Sequence, residues 1–203
     1  MSRCFDTGYY TEGDLASEGF RSLGQNVRIA RNCTIVGAEN ISIGSNVRID
    51  PYSSLIATAG GEITLGSFIH IGSGSFLSGS HGIEMGDFSG LSQGVRVYSR
   101  TDDYGGDWLT NPTVPSKYTG GKSGRVVLER HVIIGSGSVI LPGVTVCEGT
   151  SVGALSLVAK SLESWGVYFG VPAKRIKARS RDLLALEAAL KAEMAGSISA
   201  ADS

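Results

Sequence analysis

The sequence is short of cysteine and histidine, carries no excess charge of either sign and contains no long apolar run. Each shortage excludes a class of protein. Cysteine occurs only at Cys4, Cys33 and Cys147. An odd number at wide spacing fits neither a disulfide framework nor a zinc motif, so a reducing cytoplasm is the expected setting. His70, His81 and His131 include no close pair, which argues against a histidine-built metal centre, and no metal is expected. No apolar stretch reaches the length of a membrane span, and no basic-then-apolar leader opens the chain. With 18 basic and 19 acidic side chains the net charge is −1, and no like-charged arm stands out. Nucleic-acid binding through phosphate neutralisation is therefore not expected.

Glycine, in contrast, is abundant: 29 of 203 residues, about twice the usual share of ~7%. Its placement shows why. An aliphatic residue recurs every six positions at Leu23, Ile29, Ile35, then Ile43, Ile49, Leu55, then Leu65, Ile71, Leu77, then Met85, Leu91, Val97. After a long interruption it returns at Leu128, Ile134, Ile140, Val146, Val152 and Val158. The residue after each head is often Gly, and the residue four on is small or β-branched, as at Val27, Ser53, Ile69, Ser138 and Thr150. Six is no clean multiple of 3.6, and such residues are poor helix formers. The beat predicts very short strands with turns between them, the repeat of a parallel β-helix. Three six-residue units close one triangular coil. The heads point inward and stack coil on coil at roughly 4.8 Å, and eighteen heads make about six coils. The glycines after the heads, with Asn26, Asn46 and Asp87, are expected at corners of positive φ.

The remainder divides around this all-β domain, residues 23–178. Residues 1–22 form an N-terminal cap, loose over 1–8. There Thr11-Glu12-Gly13-Asp14, with Leu15 and Phe20, reads as a capped short helix closing the first coil. Small slips after Ile35, Leu55 and Leu77 are expected to bulge at one corner of the prism. The large break at 99–124 is polar and aromatic with two prolines, an ordered arm at the position where function usually sits. Residues 179–203 form a C-terminal helix and tail. Leu183, Leu186, Leu190 and Met194 make one apolar stripe, expected to pack on the prism or on a neighbouring subunit.

The head-Gly-x-x-small-x repeat resembles that of the hexapeptide-repeat acyltransferases, whose coils wind left-handed. Several stretches resemble the branch that N-acylates nucleotide-linked 4-amino-4,6-dideoxyglucose. These are Val47 to Asp50, Asp87 to Ser92, Tyr98 to Tyr104, Thr110 to Pro115, His131 to Gly135 and Trp165 to Lys174. The resemblance implies acetyl-CoA, or another acyl-CoA, as co-substrate and a nucleotide-linked amino sugar as acceptor. It further implies a homotrimer with sites between subunits and a role in surface polysaccharide or O-antigen synthesis. By the same likeness the pantetheine arm lies near Gly135, Ser136, Ala154 and Ser156, and Lys174 meets the nucleotide phosphates, unless it belongs to a solvated basic tail.

Many sugar O-acetyltransferases of the superfamily carry a general-base histidine in the protruding loop, and this chain has none between Ser99 and Gly124. An amine acceptor, with a pKa of roughly 8 by analogy with an α-amino group, is partly neutral already. It needs orientation more than deprotonation. Asp102 is the expected carboxylate for that task, Ser92 the donor toward the oxyanion, and His70 an acid–base or anchoring candidate. Tyr98, Asp103 and Tyr104 are expected to bind the acceptor. His131 reads as structural, His81 as a turn residue, and Cys33 and Cys147 as small repeat residues. A sugar O-acetyltransferase, a zinc hydratase of the γ-type carbonic anhydrase class and a scaffolding β-helix are the alternatives.

Overall fold

The computed structural model describes residues 8–58 and 60–201, with side chains through Gly196. The loose end expected at residues 1–8 lies, apart from Gly8, outside the described residues. Three parallel sheets form the faces of a β-solenoid. Register partners on the first face include Ile43, Leu65, Met85, Leu128 and Val146. Those on the second are Ile29, Ile49, Ile71, Leu91, Ile134 and Val152. The third aligns Ile35, Leu55, Leu77, Val97, Ile140 and Val158. The six-residue heads are thus paired coil upon coil, and from Ile43 onward the head column is closed to solvent. The residue four after the head forms a second inward column: Val47, Ser53, Ile69, Ser75, Val95, Val132, Ser138 and Thr150 are all buried. The hydroxyls of Ser53, Ser75, Ser138 and Thr150 turn back onto backbone carbonyls, Ser75 Oγ donating to Gly72 at 2.7 Å, so burial leaves these four satisfied.

A partial seventh coil extends the six. Leu162 bridges to Val146, and Gly166–Phe169 adds to the second face with Tyr168 beneath the Val152 position. An aromatic head hides that coil from the six-residue beat. Antiparallel pairing with Lys174–Ala178 then closes the end. The opposite end is covered as expected. The short helix α1 (Glu12–Ala16) has Thr11 as N-cap with a reciprocal capping box to Asp14, and it buries Leu15 over the first coil.

Two expectations need correction. Asn26 and Asn46 are at positive φ as expected, but the glycines after the heads are not, and Phe68, Phe88 and His131 take that conformation in later coils. The glycines are required because coils approach closely: a Cβ on Gly44 would stand 2.7 Å from the carbonyl carbon of Gly66. Asp87 is likewise not a left-handed corner, and its Oδ1 accepts the Ser67 N–H at 2.7 Å.

The second correction concerns helix α2 (Leu183–Ala201). Of the two packings expected for its apolar stripe, the one on the prism is not made, for Leu186 is 71% exposed and Leu190 and Met194 also face solvent. Glu187 is the residue turned inward, and it pairs with Arg130, His131 and Lys191. The reason lies in the surface below. Phe68, Phe88, His131 and Trp165 stack as an outer column along one corner, and the cations beside it call for a carboxylate rather than a leucine.

Candidate active site

All the chain's interruptions leave the prism at one corner, after strands Thr34–Val36, Ser54–Ile56, Phe76–Ser78 and Arg96–Tyr98. The largest is built as a hairpin. Arg100–Asp102 pairs antiparallel with Gly121–Ser123, placing Asp102 opposite Gly121. Beyond it Leu109 bridges to Thr119, and the side chain of Asn111 accepts from the Thr113 amide at 3.0 Å. The arm overhangs the third face and encloses with it a cavity of about 1080 Å³. Tyr98, Val139, Leu141 and Leu157 line its floor, and Arg100, Thr101, Asp102, Tyr104 and the 111–116 segment line its roof.

Asp102 sits on that roof. One oxygen, Oδ2, accepts the Asn111 N–H at 3.3 Å, which fixes the carboxylate and leaves Oδ1 for a ligand. Tyr98 and Tyr104 border the same space, with Tyr104 93% exposed. Asp103 does not. Its carboxylate accepts the N–H groups of Gly105, Gly106 and Trp108 at 2.9 to 3.0 Å. Those bonds, the Gly105 amide foremost, hold its carboxyl below the usual range. Asp103 is the knot of the arm's turn rather than part of the cavity wall where acceptor binding was expected of it.

Ser92 and His70 lie elsewhere on the single chain, on the outer surface of the second face. His70 opposes Gly90 and Ile71 opposes Leu91, so Ser92 directly follows the strand next to that of His70. His70 Nε2 meets Asp50 Oδ2 at 2.7 Å and Arg48 Nη2 at 3.0 Å. The hydrogen bond from His70, then that from Arg48, draws the Asp50 carboxyl below its ordinary range, outweighing the opposing effect of burial. Gly135 continues the same surface two coils on, where a Cβ would overlap the Ala154 amide.

Among the co-substrate candidates, Ala154 is exposed and Lys174 lies on a fully exposed closing strand with Arg175 and Lys177. Ser136 Oγ donates to Gln93 Oε1 at 3.1 Å. Ser156 is a correction. It is buried, its Oγ donates to Gly153 and accepts from Gly170, and its N–H and C=O are bonded to Ser138 Oγ and Val139 N–H. Its hydroxyl is thereby committed inside the coil rather than presented to a pantetheine arm.

Burial raises the thiols of Cys33 and Cys147, which keeps them protonated and unreactive. His131 is buried and structural, and the N–H of His81 is tied to Ser99 Oγ at 2.9 Å. Among the described residues no three His, Cys, Asp or Glu side chains converge as a metal site would require, and no helix is long and apolar enough to cross a membrane. Sequence reasoning overlooked Arg100 and Asn111. Arg100 had one available signal, its position two residues before Asp102 on a short strand.

A three-sided solenoid whose long arm roofs an open face is an architecture found in the hexapeptide-repeat acyltransferases. No protein-family model matches the sequence, and whole-chain comparisons supply the closer assignment. The chain is 42% identical over 188 residues, 93% of its length and 97% of the relative's, to dTDP-4-amino-4,6-dideoxy-D-glucose acyltransferase of Escherichia coli. It superposes with a TM-score of 0.89, at 41% identity, on a variant of AntD, an N-acyltransferase from Bacillus cereus, in complex with dTDP-4-amino-4,6-dideoxyglucose and coenzyme A. That alignment covers 93% of this chain and 99% of the other. AntD with dTDP and 3-hydroxybutyryl-CoA matches at a TM-score of 0.88 and 41% identity, over 94% of this chain and 99% of that one. The chain belongs to the family of hexapeptide-repeat nucleotide-sugar N-acyltransferases that contains these proteins.

Proposed function

We propose that the chain transfers an acyl group from acyl-CoA to the 4-amino group of dTDP-4-amino-4,6-dideoxyglucose. The observation that carries the reading is Asp102, an anchored carboxylate with one free oxygen on the roof of a large cavity whose arm contains no histidine. A carboxylate accepts a hydrogen bond from the amine and aims its lone pair at the thioester carbon. The C–N bond forms as the carbonyl oxygen takes up charge. The C–S bond then breaks, and the amine proton leaves with the coenzyme A thiolate. Ser92 Oγ is the donor toward the oxyanion, a contribution of about 2–4 kcal/mol to the transition state.

Substituted forms of AntD support the pair. Its solved structures include replacements of one serine and one aspartate separated by the same number of residues as Ser92 and Asp102. The expectation of acetyl transfer widens to acyl transfer, since AntD is seen with 3-hydroxybutyryl-CoA.

A homotrimer completes the site in this reading. On one chain the cavity and Asp102 face outward from the third side, while Ser92, His70 and Gly135 share the second. Packing prisms side by side sets the second side of one against the arm of the next. Co-substrates of this kind fit a cytoplasmic enzyme of surface-polysaccharide synthesis. The product tests the reaction type: its mass should rise by one acyl group, and the new bond should resist alkaline hydroxylamine, as amides do and esters do not. A hydroxylamine-labile product would mark an O-acyltransferase.

A further inference from the structure

We propose that Arg100 holds the diphosphate of the nucleotide sugar, so that Arg100 and Asp102 clamp the acceptor across its sugar ring. The inference rests on the acceptor reading above and names the group that anchors the other end of that substrate. Arg100 and Asp102 are alternate residues of one strand, so their side chains leave the same side of it, and both border the cavity. Opposite them across the hairpin stand Ser123 and Gly121, small residues that leave this side open. Two residues of strand span about 6.6 Å. A hexopyranose separates the oxygen on C1, which bears the diphosphate, from an amine on C4 by a similar distance. The carboxylate suits the amine, and the guanidinium fork suits paired phosphate oxygens.

Charge on the cavity wall points the same way. A nucleoside diphosphate brings negative charge that must be matched, and Arg100 is the one cation among the residues lining the cavity. Five arginines elsewhere are engaged by carboxylates: Arg21 with Glu62, Arg31 with Asp14, Arg48 with Asp50, Arg125 with Glu84, Arg130 with Glu187. The guanidinium of Arg100 has no such partner among the described residues and is exposed at the cavity.

The test compares wild type, Arg100→Ala and Arg100→Lys by titration calorimetry with dTDP and with coenzyme A, and by steady-state kinetics with the amino-sugar nucleotide. Arg100→Ala should weaken dTDP binding and raise the acceptor KM on the order of 10- to 100-fold, with kcat and coenzyme A affinity little changed. Arg100→Lys, which keeps the charge but loses the fork, should fall between. Unchanged dTDP affinity in Arg100→Ala, or a loss that appears for coenzyme A instead, overturns the assignment of Arg100 alone. A wild-type enzyme that binds no dTDP overturns the acceptor reading and this inference with it.

Discussion

Glu187 on helix α2 meets Nε2 of His131 on the prism at 2.7 Å, and both side chains are buried. The same carboxylate pairs with Arg130 and Lys191. The hydrogen bond from Lys191, with those of His131 and the charge of Arg130, holds its pKa at about 2 against the usual 4.5 and against burial. This ionic contact, rather than the leucine stripe, fixes the helix.

Acid should therefore release α2. The folded carboxyl is depressed, so its stabilisation is present above pH 4.5 and is lost as pH falls toward 2. Glu187→Gln should loosen the helix at neutral pH at a cost of about 1–3 kcal/mol, seen as faster amide exchange over residues 183–196. Unchanged exchange in that variant would show that another contact docks the helix.

Asp102 and Asp103 are neighbours with opposite tasks, and substitution separates them. Asp102→Asn keeps an acceptor for the Asn111 amide but loses the charge that aims the amine, so kcat should drop about 100-fold with the melting temperature preserved. Asp103→Asn retains a turn acceptor and most activity. Asp103→Ala frees three amides and should lower turnover and acceptor affinity together as the arm loosens. Equal effects of Asn at the two positions would contradict this division.

Ser156→Ala removes a hydroxyl that both donates to Gly153 and accepts from Gly170. It should cost about 1–2 kcal/mol of stability and leave coenzyme A affinity unchanged, as calorimetry and a melting curve would show. Weaker coenzyme A binding without destabilisation would return Ser156 to the co-substrate site.

Most of the solenoid was legible because a six-residue period constrains every coil. Leu55 and Leu77 are readable as core from spacing alone, and Ser53 and Ser75 from being small at the fourth position. Tyr168 was not, since an aromatic head breaks the aliphatic pattern. The arm was legible as an interruption but its interior was not: Asp102 and Asp103 are the same residue type side by side, and only the hairpin shows which faces the cavity. Helix α2 misled because Leu183, Leu186, Leu190 and Met194 suggest a stripe although leucine and alanine are spread around the whole helix, and the surface beneath it is a column of aromatic and cationic side chains contributed by coils far apart in sequence. The glycines after the heads were noticed for the right positions and the wrong reason, because the distance between coils is invisible in one dimension.

The most direct measurement is thiol release from acetyl-CoA and 3-hydroxybutyryl-CoA with two acceptors, dTDP-4-amino-4,6-dideoxyglucose and its 4-hydroxy counterpart. Release with the amine alone, from either or both thioesters, is the predicted result. Equal release with the 4-hydroxy sugar would contradict an amine-orienting role for Asp102 and shift attention to His70 as a base.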